Sequence, residues 1–156
     1  MTVAATANGP VTPGELPGLF DALQCYDRVY LAVSGGVDST ALMHLAVAWQ
    51  RQGHRSVAIA VLSVDHGLRP EARREAEAVA EAARELGLPA EILTCKGLPP
   101  RTAIQASARD MRFAALCAAV RRSPGRSALV LAHHRDDVAE TVLMRLSRGA
   151  GVDGLS

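Results

Sequence analysis

The sequence predicts an α/β fold: a doubly wound, open parallel sheet with helices on both faces. Apolar runs alternate with amphipathic stretches four times from Val29 onward, and the run at residues 57–62 is apolar on both faces. A strand that is apolar on both faces is typical of a parallel sheet covered by helices. The 156 residues are 49% hydrophobic, which gives enough apolar surface for one packed domain.

The elements are predicted in the order in which they occur. A short helix near residues 19–24 comes first, and strands then alternate with helices. The strands are expected at residues 29–33, 57–64, 90–93 and 128–132, and the helices at 39–50, 71–86, 103–122 and 138–147. We expect the strand order 3-2-1-4, with a possible further edge strand missing from the chain, and in this order right-handed crossovers bring the ends of the first and fourth strands together.

Some boundaries carry their own signals. Gly87 ends the helix before it, as glycine commonly does. Asp137 and Glu140 have the spacing of a capping box that opens a helix. Residues 1–17 are rich in Thr, Ala, Gly and Pro, so we expect a flexible arm there and the folded domain at residues 18–156.

Composition excludes several classes of protein. The formal net charge is +1 and aromatic residues make up 3%, which argues against a strongly basic nucleic-acid binder and against an aromatic stacking platform. No apolar run approaches the roughly 20 residues that span a bilayer, so we expect no membrane partner. Cys25, Cys95 and Cys117 are odd in number and far apart, which indicates a reducing, cytoplasmic compartment.

Polar residues follow three of the four predicted strands, at residues 34–39, 65–69 and 133–137. Ligands of open parallel sheets bind beyond the carboxyl ends of the strands, where successive connections run in opposite directions. In the predicted order that point lies between the first and the fourth strand, so we expect the functional site there.

The segment at residues 34–39 reads Ser-Gly-Gly-Val-Asp-Ser and leads from a strand into a helix. Two glycines let the backbone approach a polyanion, and the helix start and the serine hydroxyls supply donors, so the pattern predicts a phosphate cradle. The spacing differs from a Walker A loop and from a dinucleotide fingerprint. Asp38 within such a cradle indicates a Mg²⁺ ligand, with a helix-capping role as the alternative.

Other charged residues suit the same ligand. Arg109 and Arg112 are three residues apart, on one face of a predicted helix, and such a pair binds a phosphate or RNA unless it is simply a solvated face. His133, at the end of the fourth strand, is placed to reach a ligand across the switch point. Asp136 and Asp137 precede a helix, where one caps it and the other assists Mg²⁺ or orients an arginine.

Several motifs together resemble one family. The loop at residues 34–39 is similar to the pyrophosphate-binding loop of the N-type ATP pyrophosphatases. Further motifs lie at residues 64–69, 104–113, 133–141 and 148–155. With them, the chain closely resembles the catalytic domain of the tRNA(Ile)-lysidine synthetase family from Val29 to its last residue.

The sequence departs from the family pattern at a few positions. The family commonly has Tyr, Gly and Gln where this chain has Phe113, Ala132 and Val138. Family members also continue into helical domains that help to grip the tRNA. We therefore expect this chain to be truncated or partial.

The resemblance implies a fold of the adenine nucleotide alpha hydrolase type and a two-step reaction. The C2 carbonyl oxygen of the wobble cytidine, in an isoleucine tRNA with the anticodon CAU, attacks the α-phosphorus of ATP and releases pyrophosphate. The amine of free L-lysine then displaces AMP to form lysidine. ATP and Mg²⁺ are the implied cofactors, the tRNA and L-lysine are the implied partners, and a homodimer is an open alternative to a monomer.

The implied site residues fall into three sets. The catalytic set is Asp38, Arg109, Arg112 and His133. The nucleotide-binding set is Ser34, Gly35, Gly36, Val37, Asp38, Ser39, Asp65 and His66. The metal ligands are Asp38 and Asp137.

Two other functions are compatible with the loop. Another ATP pyrophosphatase acting on tRNA, such as a thiolase, would need cysteines to carry sulfur or a cluster, and Cys25, Cys95 and Cys117 supply no Cys-x-x-Cys pair. A nucleotide-binding fragment without turnover would bind ATP and form no AMP.

Overall fold

A computed structural model describes residues 9–54, 56–65, 67, 70–95 and 104–133 of the chain. These residues include a four-stranded parallel sheet with the strand order β3-β2-β1-β4. The strands are β1 (Arg28–Ala32), β2 (Ala58–Asp65), β3 (Ala90–Thr94) and β4 (Ser127–Leu131). The predicted fold class and strand order are confirmed, and each strand lies within one residue of its predicted position.

The helices of the described residues are α1 (Leu16–Phe20), α2 (Val37–Arg51), α3 (Pro70–Glu85) and α4 (Ile104–Arg121). Gly87 has a φ of +83° and follows α3, which confirms the predicted end of that helix. The helix predicted at 19–24 is misplaced, because α1 begins earlier and 3-10 geometry replaces it from Asp21. The helix predicted at 138–147 and the Asp137 capping box lie outside the described residues. No described helix is long and apolar enough to cross a membrane.

The two faces of the sheet are covered by different helices. Val29 and Leu31 of β1 belong to a core that includes side chains of α2 and α3. Tyr30 and Ala32 of the same strand point to the opposite face and pack with Leu116 of α4. Because side chains alternate along a strand, every second residue of β1 serves each core, and β1 is buried on both sides.

The segment before α1 is held against the domain. Gln52 donates from Nε2 to the carbonyl oxygen of Pro13 over 2.9 Å, and Leu16 is only 2% exposed in the core beside α2. Residues 13–17 of the predicted flexible arm are therefore part of the folded domain. Residues 1–8 lie outside the described residues.

The turn that leads into β4 is fixed by one carboxylate. Asp27 Oδ2 accepts a hydrogen bond from the backbone N–H of Arg126 over 2.7 Å. Gly125, the residue before it, has a φ of +78°. A Cβ at Gly125 would lie 2.5 Å from Asp27 Oδ2, so any side chain there displaces the carboxylate from its hydrogen bond.

We expect Gly125→Ala to destabilise the domain by about 2–3 kcal/mol, because it combines a left-handed φ with the loss of a charged hydrogen bond. Gly87→Ala is the matched control, since Gly87 has a similar φ of +83° and nothing within 4 Å of an added Cβ; it should cost about 1–2 kcal/mol. Urea unfolding followed by the fluorescence of Trp49, the single tryptophan, measures both. Equal losses for the two variants would contradict the role of the Asp27 contact.

Candidate nucleotide site

The loop between β1 and α2 is shaped by its glycines and serines. Gly35 has a φ of +85°, and a Cβ at that position would already be 3.4 Å from Val79 Cγ2 of α3. Ser39 is 7% exposed, and its Oγ accepts the backbone N–H of Ser34 over 3.2 Å and donates to the carbonyl of Gly36 over 3.0 Å. The buried hydroxyl of Ser39 thus fixes the loop from within.

The start of α2 is open toward this loop. Gly36 is the N-cap residue and caps the helix without a side-chain hydrogen bond. The helix begins with the hydrogen bond that the backbone N–H of Thr40 donates to the carbonyl of Gly36 over 3.0 Å. The N–H groups of the first turn of a helix have no intrahelical acceptor, and together with the helix dipole they attract anions.

Asp38 occupies the second position of α2 and is exposed. Because Gly36 holds the capping position, the structure does not support the alternative in which Asp38 caps the helix. Val37 is 85% exposed, so the first turn of α2 is uncovered among the described residues. Asp38 therefore lies in an exposed first turn directly after the loop, and its role as a Mg²⁺ ligand stays a prediction.

A cavity of about 490 Å³ opens beside the loop. Its wall includes Ser34 and Gly35 on one side and Glu75, Ala78 and Val79 of α3 on the other. These α3 residues belong to none of the motifs that predict the site. The signal was present in the small side chains of α3 at helical spacing, which leave room between α2 and α3, although the same spacing also describes a simple packed helix.

The carboxyl end of β2 lies at the same edge of the sheet as the loop between β1 and α2. Asp65 is 7% exposed, and its Oδ1 accepts the backbone N–H of Gly67 over 2.9 Å, which closes a turn at a φ of +63° for Gly67. Asp65 thus stabilises the turn after the strand, and its predicted contact with the nucleotide stays a prediction. His66, the other predicted nucleoside contact, lies outside the described residues.

Arg109 and Arg112 lie on α4, which follows the carboxyl end of β3. Arg112 is half-buried and Arg109 is exposed. Burial, and next the positive charge of Arg109, lower the pKa of the Arg112 guanidinium. Within the described part of the chain, no acidic side chain forms an ion pair with either arginine. A pair of close, uncompensated guanidinium groups favours an anionic ligand.

His133 follows β4 and is exposed. Strand β4 pairs in parallel with β1, with Leu131 opposite Ala32, so the same register places His133 level with Ser34, two residues beyond each strand. The structure therefore brings the predicted histidine and the loop to one edge at the switch point. Asp137, the second predicted metal ligand, lies outside the described residues.

The three cysteines lie in different parts of the structure. Cys25 precedes β1, Cys95 follows the carboxyl end of β3 beside Asp65, and Cys117 lies on α4; all three are unpaired thiols. Burial, and then the nearby Asp65 carboxylate, raise the pKa of the Cys95 thiol. A raised pKa keeps a thiol protonated and poorly nucleophilic, so Cys95 is unsuited to sulfur transfer as it stands.

The fold and this edge define a class: a doubly wound α/β domain that binds a phosphorylated ligand on the strand-to-helix turn after β1. Residues 16–156 match the family described as the PP-loop domain. The chain belongs to the PP-loop domain family, which confirms the family resemblance predicted from residues 34–39.

Individual relatives within this family share one name. The chain is 50% identical over 149 residues to the tRNA(Ile)-lysidine synthase of Bradyrhizobium diazoefficiens, covering 96% of this chain and 41% of that protein. It is 47% identical to the tRNA(Ile)-lysidine synthase of Rhodopseudomonas palustris, covering 99% of this chain and 44% of that protein. The chain thus spans less than half the length of these curated relatives.

A solved structure shares the fold. The U34-tRNA thiolase NcsA from Methanococcus maripaludis, with its [4Fe-4S] cluster, superposes with a TM-score of 0.74 and 19% identity. The match covers 90% of this chain and 49% of that one. At this identity the likeness supports the fold and carries no information about the reaction.

Proposed function

We propose that this chain is the catalytic domain of a tRNA(Ile)-lysidine synthase. It uses ATP to adenylate C2 of the wobble cytidine of an isoleucine tRNA with the anticodon CAU, and L-lysine then replaces AMP. One observation carries the proposal: the chain is about half identical to such enzymes over nearly its whole length. The loop after β1 and His133 after β4, which share one sheet edge, and the two arginines of α4 are compatible with it. Neither step requires a covalent enzyme intermediate.

The loop is proposed to hold the phosphates of ATP. The first turn of α2 and the Ser34 hydroxyl supply donors for the pyrophosphate that leaves, while Gly35 and Gly36 keep the backbone accessible. Ser39 contributes by fixing the loop, since its hydroxyl already bonds to Ser34 and Gly36. The neighbouring cavity of about 490 Å³ has room for further parts of a nucleotide.

Charge stabilisation is proposed to come from the α4 side of the edge. In the first step a bond forms between the cytidine O2 and the α-phosphorus while the bond to pyrophosphate breaks. In the second step the lysine nitrogen bonds to C2, loses a proton and expels AMP. Arg112 and Arg109 stabilise negative charge that develops on the α-phosphate, and His133 orients the phosphate or the base.

The chemistry of Asp38 fits a Mg²⁺ ion. Mg²⁺ in such sites is held by one or two carboxylates, the substrate phosphates and water, and Asp38, exposed in the first turn of α2 directly after the loop, would supply one carboxylate. When bound, Mg²⁺ neutralises phosphate charge. Asp137 remains the proposed second ligand.

We expect Asp38→Asn to raise the Mg²⁺ concentration needed for half-maximal AMP formation by about tenfold or more, because a carboxylate ligand is lost while the side-chain volume is kept. Mg²⁺ titrations at fixed ATP measure this shift. Glu85→Gln, an exposed carboxylate at the far end of α3, is the matched control. An unchanged Mg²⁺ dependence of Asp38→Asn would contradict the assignment.

The decisive experiment is a turnover assay with α-labelled ATP, Mg²⁺, L-lysine and an unmodified isoleucine tRNA transcript. AMP that forms only with the transcript, together with labelled lysine attached to the RNA, is the expected result. ADP would refute the pyrophosphatase chemistry. ATP binding without AMP would support the alternative in which these residues bind nucleotide and do not turn it over.

The assay also separates the thiolase alternative. Three dispersed cysteines, one with a raised pKa, favour lysine transfer over sulfur transfer. A triple Cys→Ser variant of Cys25, Cys95 and Cys117 should retain AMP formation. The proposal includes a cytoplasmic location, consistent with unpaired thiols, and light scattering of the same sample distinguishes a homodimer from a monomer.

A further inference from the structure

The helices on the two faces of the sheet carry opposite charge. Helix α3 has five Glu and three Arg, whereas α4 has three Arg and one Asp. Two more arginines, Arg122 and Arg126, follow α4 in the turn that leads into β4. A polyanion is therefore attracted to the α4 side of the domain and repelled by the α3 side.

Four exposed arginines cluster around this turn, and we call them the basic patch: Arg28, Arg121, Arg122 and Arg126. The backbone N–H of Arg28 donates to the carbonyl of Arg126 over 3.3 Å, which joins the start of β1 to the start of β4. The patch therefore lies at the amino ends of these strands. It is opposite the carboxyl-end edge of the sheet, which carries residues 34–39 and His133 and which we call the nucleotide edge.

The acidic neighbours of the basic patch are already engaged. Glu91 accepts from Arg122 over 2.7 Å, and Asp27 accepts the backbone N–H of Arg126 over 2.7 Å. The guanidinium of Arg126 lies 5.7 Å from the centre of the Tyr26 ring. Among the described residues no carboxylate forms an ion pair with the Arg126 side chain, so its charge is available to a ligand.

Favourable interactions with the helix dipoles explain only some of the arginines in and near the basic patch. A cation in the last turn of a helix is favourable, and α2, α3 and α4 each have one arginine there: Arg51, Arg84 and Arg121. Arg122, Arg126 and Arg28 lie outside these last turns. Among the described residues, the arginines beside α4 exceed what the helix dipole favours, which indicates a purpose beyond helix stability.

We propose that the basic patch binds the sugar-phosphate backbone of the RNA substrate, at a point remote from the reacting base. This inference rests on the proposed function. From Arg109 to Arg121, α4 extends about 18 Å, so an RNA strand whose base enters the nucleotide edge reaches the patch by following α4. Arginine forks bind phosphate oxygens bidentately and without regard to sequence.

The test compares RNA binding by the wild-type chain and by R122Q/R126Q. Anisotropy of a labelled isoleucine tRNA transcript is recorded at several salt concentrations. The control is R51Q/R84Q, which removes the same charge at the same sheet edge but on the α2 and α3 side. A second variant, R122K/R126K, keeps the charge and removes the guanidinium contact with Tyr26. Thermal unfolding of each variant verifies that it folds.

We expect R122Q/R126Q to bind the transcript roughly tenfold more weakly at about 100 mM salt, with the slope of log K against log[salt] reduced by about 1 to 2, because Arg122 is already paired with Glu91. R51Q/R84Q should match wild type, and R122K/R126K should keep most of the salt slope. In the turnover assay the KM for tRNA should rise with kcat unchanged, since the patch is far from the reacting atoms.

Other outcomes overturn the inference. The first is an unchanged affinity of R122Q/R126Q for the transcript, which would indicate a protein-docking surface instead. The second is an equal loss of affinity in R51Q/R84Q, and the third is no binding of the transcript to wild type at about 50 mM salt. If RNA binding follows the expected pattern but no AMP forms, the proposed function fails while the inference stands. If AMP forms and the variants bind equally, the inference alone fails.

Discussion

Arg112→Ala should lower the rate of tRNA-dependent AMP formation by about 10²–10³-fold, the cost of removing one preorganised donor from a developing negative charge. The effect should appear in kcat, because the α-phosphate gains negative charge in the transition state and the interaction strengthens there. Single-turnover measurement of AMP at saturating ATP and tRNA isolates this step.

Stability provides an independent readout for Arg112. Burial and the neighbouring Arg109 lower the pKa of its guanidinium, so the folded state disfavours this charge relative to the unfolded chain. Removing the charge should therefore leave the free energy of unfolding unchanged or slightly higher, while activity falls. A residue with a purely structural role would show the reverse: a stability loss with kcat retained per folded molecule.

Two further variants sharpen the test. Arg112→Lys keeps the charge but loses the planar fork, so it should recover only part of the rate. Arg84→Ala, which removes an exposed arginine paired with Glu81 on α3, should have normal kcat. An Arg112→Ala enzyme with a normal single-turnover rate would exclude Arg112 from the chemistry.

Much of the architecture could be predicted because the strands are unambiguous. Residues 57–62 are apolar on both faces, and such a run has few places outside a parallel sheet. Gly35 and Gly36 next to a helix start predicted an anion-binding turn, and the register of β1 with β4 brings His133 to the same edge. These features depend on local sequence and on the handedness of crossovers, both of which are readable from the chain.

What could not be predicted depends on tertiary contacts. Leu16 was placed in a flexible arm because proline and glycine surround it, yet it joins the core beside α2. The Asp27 contact with the Arg126 backbone spans 99 positions of sequence, and no local pattern encodes a contact of that range.

The two loop glycines make a matched pair that separates loop shape from ligand access. Gly35 has a φ of +85°, and an added Cβ would be 3.4 Å from Val79 Cγ2. Gly36 has a φ of −71° and a ψ of 160°, which any residue adopts, and its added Cβ would be 3.6 Å from Ser34 Oγ, an ordinary contact. Alanine therefore strains the backbone at one position and only adds a methyl group at the other.

Gly35→Ala should destabilise the domain by about 1–2 kcal/mol and weaken ATP binding by roughly tenfold or more, since the loop must leave its left-handed conformation. Gly36→Ala should change the free energy of unfolding by less than about 1 kcal/mol, because the lost N-cap preference offsets the lower backbone entropy of alanine. It should still weaken ATP binding, because its methyl group occupies the space that a phosphate needs. Calorimetric titration with ATP and Mg²⁺, paired with urea unfolding, measures both quantities. If Gly36→Ala binds ATP as wild type does, close backbone approach at Gly36 is refuted, and the loop acts through the conformation of Gly35 alone.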